Sequence, residues 1–120
     1  MALMGAAGNP LQVSGGSTSA TGNDTRLGPG SKSVTTAGAA IGTVTGGTTP
    51  YTYAWEYVSG DAFSITSPAS ATSTFSITIT VGIGETVGKT GVYRCRATDA
   101  VGAFIYGPDC TVSASLTESS

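Results

Sequence analysis

Apolar and polar residues alternate along the second half of the chain with a period of two, which is typical of strands that bury one face. In the clearest case, residues 75–81, every second residue is Phe, Ile or Val and the residues between them are Ser or Thr. The same alternation occurs in residues 51–57, 93–97 and 110–116. The inward positions of these segments predict a core formed by Trp55, Tyr53, Phe75, Ile77, Ile79, Tyr93, Cys95 and Val112.

Turn-forming residues separate these segments. Glycine, proline, serine and aspartate cluster at 46–50, 59–61, 67–68, 82–91, 99–102 and 107–109. No segment has the 3.6-residue period of a helix. About seven short strands, with a turn every 8 to 12 residues or so, predict an all-β fold, an antiparallel β-sandwich.

The first 31 residues differ from the rest, because they are rich in Gly, Ser, Thr and Ala and contain few large apolar residues. This composition predicts an extended N-terminal arm, residues 1–31, followed by a sandwich domain, residues 32–120. An arm without a core of its own becomes ordered only by docking on a partner. We therefore expect residues 34–117 to fold without the arm, and Leu11 and Val13 to contact the partner. The arm lacks the basic and apolar segments of a signal peptide, so we expect no export by that route.

The net charge and the composition exclude several classes of function. The 120 residues include 5 Lys and Arg against 7 Asp and Glu, a net charge of −2, so there is no basic field for nucleic acid. No run approaches the roughly 18 apolar residues of a membrane span. The chain has no His, the commonest general base and metal ligand, and its two Cys are too few for a thiolate zinc site. We expect no enzyme activity, no cofactor and no metal.

Two motifs have simple structural interpretations. Residues 88–90, Gly-Lys-Thr, are like the end of a phosphate-binding loop. The upstream glycine and the following helix of that loop are missing, so we expect a flexible loop between strands. Asp61, Asp99 and Asp109 lie near turns without the spacing of a calcium loop, and we expect them to cap turns.

The two cysteines, Cys95 and Cys110, both point inward on strands that we expect to be neighbours. Either they form a disulfide, or they are two buried thiols that act as small apolar residues in a protein folded in a reducing cytoplasm.

Phe104, Ile105 and Tyr106 are consecutive, and alternation cannot bury all three. At least one of them must face solvent or a neighbouring subunit, so this segment is a second candidate interaction surface beside the arm. Phe104 and Tyr106, with Tyr51 and Tyr57, either complete the core or form an exposed platform for a stacked sugar.

Residues 91–102, GVYRCRATDAVG, resemble the F strand and FG turn of immunoglobulin-like domains. The resemblance implies that Tyr93 packs its ring in the core and that its hydroxyl bonds to the backbone around residues 85–88. It also implies that Trp55 is the core tryptophan of strand C. The expected strand B, near residues 43–44, has no cysteine, so the inter-sheet disulfide of antibody domains cannot form.

A longer set of segments resembles the immunoglobulin-like domains of bacteriophage virion proteins; it comprises GGTTPYTYAW at 46–55 and the segments 58–61, 67–68, 74–81 and 93–95. The resemblance implies a non-enzymatic virion structural protein, assembled in the host bacterial cytoplasm and present as a homo-oligomer or in repeated copies. We expect a capsid decoration protein whose arm binds other virion proteins, either the major capsid protein or tail and neck proteins. The alternatives are a tail- or neck-associated module and an adhesin that binds host-surface carbohydrate.

Overall fold

Strands are the regular elements of residues 10–119, the part of the chain that the computed structural model describes. No helix in this range is long and apolar enough to cross a membrane. In chain order the strands are β1 (Gln12–Ser14), β2 (Ser19–Arg26), β3 (Gly30–Thr35), β4 (Ala39–Ala40), β5 (Thr43–Thr45), β6 (Thr52–Gly60), β7 (Ser64–Ile65), β8 (Thr72–Ser73), β9 (Phe75–Val81), β10 (Thr86–Thr98), β11 (Phe104–Tyr106) and β12 (Cys110–Glu118).

The larger sheet has five strands and is built around β10. Strand β6 pairs with one edge of β10 in antiparallel register, while β12 and then β11 pair with its other edge. Strand β2 lies beyond β12 and pairs with it in parallel, from Ser19 opposite Thr111 to Arg26 opposite Glu118. Strand β10 therefore pairs directly with three of the other strands of this sheet, and β2 is attached through β12.

The second sheet has the strand order β3-β9-β7, and its central strand β9 is the segment with the clearest alternation. Two short pairs, β1 with β5 and β4 with β8, complete the strand pairing. One cluster of buried apolar side chains draws on both sheets, as expected for two layers that bury their apolar faces against each other. The chain thus has a β-sandwich-like all-β fold.

Three aromatic rings dominate the core. Phe75 is fully buried, the ring of Trp55 meets it edge to face with centroids 5.4 Å apart, and the ring of Tyr93 lies 4.9 Å away on a tilted plane. The predicted core residues that are buried are Trp55, Phe75, Ile79, Tyr93, Cys95 and Val112. The other two, Tyr53 and Ile77, are half-buried and pack against this cluster.

Residues 12–26 contain two strands, so the prediction of an arm over residues 1–31 is wrong for this part of the chain. Strand β2 has few apolar side chains, but its main chain is held by the ladder with β12. It also approaches the other sheet closely, since a Cβ atom at Gly22 would collide with the carbonyl oxygen of Thr35. Residues 1–9 of the predicted arm lie outside the described residues.

A strand does form at residues 43–45, near the expected place, but it lies in neither of the two main sheets. Residues 43–45 pair with β1, and the strands that pair with β9 are β7 and β3, whose inward residue Val34 is buried. Gly42 has a φ of 114°, a conformation that L side chains rarely adopt, and it separates Ile41 from Val44. This break interrupts the alternation between Ile41 and Val44.

The hydroxyl of Tyr93 bonds to Phe63 and not to residues 85–88, so that expectation is wrong. It accepts a hydrogen bond from the N–H of Phe63 at 2.6 Å and donates to the carbonyl oxygen of the same residue at 3.1 Å. Residues 86–98 form one continuous strand, which places residue 85 about 26 Å along the strand from Tyr93. The loop after β6 is the backbone within reach.

Replacement of Tyr93 by Phe should lower the free energy of unfolding by about 1–3 kcal/mol, because it leaves the buried N–H and carbonyl of Phe63 without their partner. Urea denaturation would measure the change. Tyr57→Phe is the matched control, since the Tyr57 hydroxyl donates to the carbonyl oxygen of Gly60 in an exposed setting, and its effect should be within about 0.5 kcal/mol. Equal effects of the two substitutions would contradict the assignment.

Candidate interaction surface

The outer face of the larger sheet is lined with Ser and Thr on β12, β2 and the first half of β10. The side chains pair with one another: the hydroxyls of Thr86 and Thr117 are 3.0 Å apart, and Ser115 donates to the amide oxygen of Asn23 at 2.5 Å. These bonds satisfy polar groups within the face itself. This half of the face is thus polar but largely occupied with its own hydrogen bonds.

The other half of the outer face carries charged and aromatic side chains from β6, β10 and β11. We call this cluster the arginine–aromatic patch, and its members are Glu56, Arg94, Arg96, Phe104 and Tyr106. In the register of the sheet, Glu56 is opposite Arg94 and Tyr106 is opposite Arg96. The inward neighbours of these positions are the core residues, so alternation turns the patch toward the outside.

Each arginine of the patch lies over an aromatic ring. The guanidinium carbon of Arg94 is 3.9 Å from the ring centroid of Tyr106, and that of Arg96 is 5.6 Å from the centroid of Phe104. The two rings meet edge to face with centroids 5.8 Å apart. Such cation–π contacts contribute about 0.5–1 kcal/mol each at exposed sites, and they restrict the rotamers of the arginines.

Glu56 contacts both arginines without engaging either one strongly. Its two oxygens lie 3.4 Å from Nε of Arg94 and 3.6 Å from a terminal nitrogen of Arg96. These distances exceed the roughly 2.7–2.9 Å of a strong charge-assisted hydrogen bond. Within the described residues, Nε of Arg96 is buried and has no hydrogen-bond partner. The polar contacts within the patch are therefore long, and one of its donors has no partner in the described part of the chain.

The residues predicted to form interaction surfaces divide into two groups. Val13 and Ile105 pack against the core cluster, and Leu11 is half-buried beside Gly47. Phe104 is 57% exposed and Tyr106 is half-buried, so both remain available on the outer face.

Two further tyrosines were expected either in the core or on an exposed platform. Tyr51 is half-buried, and its hydroxyl donates to the carbonyl oxygen of Gly46 at 2.6 Å. Tyr57 is 54% exposed, although its ring meets the buried Tyr93 edge to face at 5.6 Å. Both lie at the margin of the core.

A second surface lies at the end of the sandwich where β12 terminates. The buried carboxylate of Glu118 accepts hydrogen bonds from the N–H of Gly28 at 3.0 Å and from the N–H of Gly84 at 2.6 Å. These bonds hold two turns side by side, and the residue before each glycine is a highly exposed apolar one: Leu27 is 82% and Ile83 is 79% exposed. We call these two residues the apolar tip.

Asp99 organises the turns at the opposite end of the sheet, as predicted for an aspartate near a turn. Its carboxylate accepts hydrogen bonds from the N–H groups of Thr48, Ala103 and Val101 at 2.9–3.1 Å. These bonds, that from Thr48 first, lower the pKa of Asp99 below its usual value.

Because its folded-state pKa is lowered, Asp99 should stabilise the fold at neutral pH and lose this contribution as the pH falls below about 4. The difference in thermal unfolding midpoint between the native chain and Asp99→Asn should therefore be largest near pH 7 and shrink in acid. Thermal melts at a series of pH values would test this. A difference that stays constant from neutral pH to pH 2 would contradict it.

The remaining candidate sites have structural roles. Cys95 and Cys110 are both free and buried, and burial raises the pKa of Cys95 to about 11 and also raises that of Cys110. Residues 88–90, expected in a flexible loop, lie inside β10 and pair with β12. Among residues 10–119, no three His, Cys, Asp or Glu side chains come together in a group that could hold a metal ion.

The sequence alone did not indicate that Glu56, Arg94 and Arg96 lie together. Alternation indicated that the two arginines face outward, but their grouping with Glu56 depends on the register between β6 and β10, which no local pattern encodes.

The chain matches no protein-family model and no curated protein.

Proposed function

We propose that the chain is an immunoglobulin-like sandwich. The order of its strands supports this: β3, β9 and β7 correspond to strands B, E and D of one sheet, and β6, β10 and β11–β12 to strands C, F and G of the other. The buried Trp55 on β6, with Tyr93 and Cys95 on β10, occupies the positions that the resemblance assigns to strands C and F. The inward residue of β3 is Val34 in place of a second cysteine.

We further propose that this sandwich is a non-enzymatic structural protein of a bacteriophage particle, a capsid decoration protein in repeated copies. The strand order supports this proposal together with the resemblance of residues 46–55 and 93–95 to virion domains. Since residues 12–26 belong to the sandwich, the anchor on other virion proteins needs another location. We assign it to the apolar tip, because the Glu118 carboxylate fixes both turns and so reduces the entropy lost when Leu27 and Ile83 become buried on a partner.

Incorporation into particles tests this proposal. A phage lacking the gene would be grown in a host that supplies the chain from a plasmid, and gradient-purified particles would be analysed by quantitative mass spectrometry. The native chain should be present in many copies per particle, and a Leu27→Ser, Ile83→Ser double variant should be strongly depleted. Val101→Ser is the matched control, since Val101 is 75% exposed at the opposite end. Absence of the native chain from particles would overturn the virion role, and normal incorporation of the double variant would overturn the anchor.

A further inference from the structure

The arginine–aromatic patch has nearly balanced charge. Arg94 and Arg96 contribute two positive charges and Glu56 one negative charge. A second carboxylate, that of the exposed Asp109, directly precedes Cys110, which pairs with Tyr93 next to Arg94. An acidic polymer therefore gains little net attraction at this face, so charge does not favour an acidic peptide or a nucleic acid as its ligand.

The patch instead presents donors and acceptors next to each other. The guanidinium groups donate and the carboxylate accepts, and the contacts of Glu56 with the two arginines, at 3.4 and 3.6 Å, are long enough for a ligand to compete with them. Nε of Arg96 is itself buried, so a ligand would meet the rest of this side chain, which is 39% exposed. A ligand whose groups both donate and accept fits this arrangement best, and a sugar hydroxyl does both.

The aromatic rings of the patch differ in availability. Arg94 covers a face of Tyr106 at 3.9 Å, whereas Phe104 is 57% exposed and its arginine is more distant, at 5.6 Å. Phe104 is therefore the ring on which a ligand can stack. A pyranose has an apolar C–H face that stacks on such a ring and a rim of hydroxyls that reaches the polar groups beside it.

From these observations we propose that the patch is a binding site for a neutral saccharide, with Phe104 as the stacking ring and Arg96 and Glu56 as the groups that bond the hydroxyls. This activity goes beyond the proposed virion role and does not depend on it, because it belongs to the isolated chain. The Ser and Thr half of the same face is not part of the site, since side chains of that half bond to one another.

The test is a titration of the full-length, ¹⁵N-labelled chain with glucose, galactose, mannose, rhamnose and N-acetylglucosamine, each in the millimolar range. At least one of these sugars should shift amide resonances that cluster on residues 54–58, 92–98 and 104–109. Phe104→Ala and Arg96→Gln should each raise the dissociation constant for that sugar by about tenfold or more. The rest of the spectrum shows whether the variants are folded. Lys89→Gln is the matched control for Arg96→Gln, since it removes a positive charge from β10 away from the patch, and it should leave the dissociation constant unchanged.

Two results would overturn the proposal. One is a spectrum that no sugar shifts at these residues, or shifts that persist in Phe104→Ala and Arg96→Gln. The other is a salt-sensitive response of the patch to a polyglutamate peptide with none to the sugars, which would assign the patch to an acidic protein segment. Neither result bears on incorporation into particles, so the two proposals fail independently.

Discussion

Removal of residues 1–26 should abolish the cooperative folding of this chain. The truncation deletes β2, leaves one edge of β12 without its ladder, and opens the core beside Val112 and Leu116, which are fully buried in the intact sandwich. A small domain has a total stability of about 5–15 kcal/mol, and the loss of an eight-residue strand removes a large part of it. Urea denaturation followed by circular dichroism would measure the loss. A truncated chain with the native midpoint would show that β2 is dispensable, as an arm would be.

A pair of single substitutions tests the same point without truncation. Gly22→Ala should destabilise the chain by about 1–3 kcal/mol, because its Cβ would collide with the carbonyl of Thr35 and lie 2.9 Å from the Cα of Thr36. Gly88→Ala, also in a strand of the larger sheet, meets nothing closer than the carbonyl oxygen of Ala114 at 3.8 Å. It should be neutral or stabilise by up to about 1 kcal/mol. Equal effects at both glycines would contradict the close approach of β2 to the second sheet.

Replacement of Trp55 by Ala should lower the free energy of unfolding by about 3–5 kcal/mol, because it leaves a cavity beside Phe75. It also leaves the carbonyl oxygen of Ser70 without the indole N–H that donates to it at 2.8 Å. Urea denaturation would measure the change, which is large enough to unfold a domain of marginal stability.

Two further variants separate the contributions at this site. Trp55→Phe keeps most of the apolar volume but loses the bond to Ser70, so its cost should be clearly smaller than that of Trp55→Ala. Val101→Ala removes an apolar side chain that is 75% exposed and should change the stability by less than about 0.5 kcal/mol. A Trp55→Ala variant as stable as Val101→Ala would contradict the placement of Trp55 in the core.

The sequence predicts those strands whose stability comes from side-chain burial. In residues 110–116 every inward residue is apolar, and all four are buried in the structure. The burial that stabilises this strand is therefore also the cause of its sequence pattern. Strand β2, SATGNDTR, offers no such pattern, because its inward positions include Gly22 and Asp24. Its place is fixed by main-chain hydrogen bonds and by close backbone contact, and neither contributes to hydrophobic periodicity.

The candidate site was predictable only in part, for a similar reason. Local alternation indicates that Phe104, Ile105 and Tyr106 cannot all be buried, and Phe104 is exposed. The arginines that lie over the rings, however, come from β10, and Glu56 comes from β6. Their grouping follows from the register of three strands, of which β6 is distant in sequence from the other two, and a one-residue change in register would turn the side chains of a strand to the opposite face.

The parallel pairing of the first long strand with the last determines how the sandwich would bear a mechanical load. Strand β2 starts at one end of the sheet and β12 finishes at the other, about 23 Å away, with all eight residues of β2 paired between them. A force that pulls Ser19 and Glu118 apart runs along both strands, so their hydrogen bonds share the load in shear and must break together. In a hairpin pulled from its open end, by contrast, the bonds would open one after another. This geometry resists a load that enters through the two ends of the paired strands.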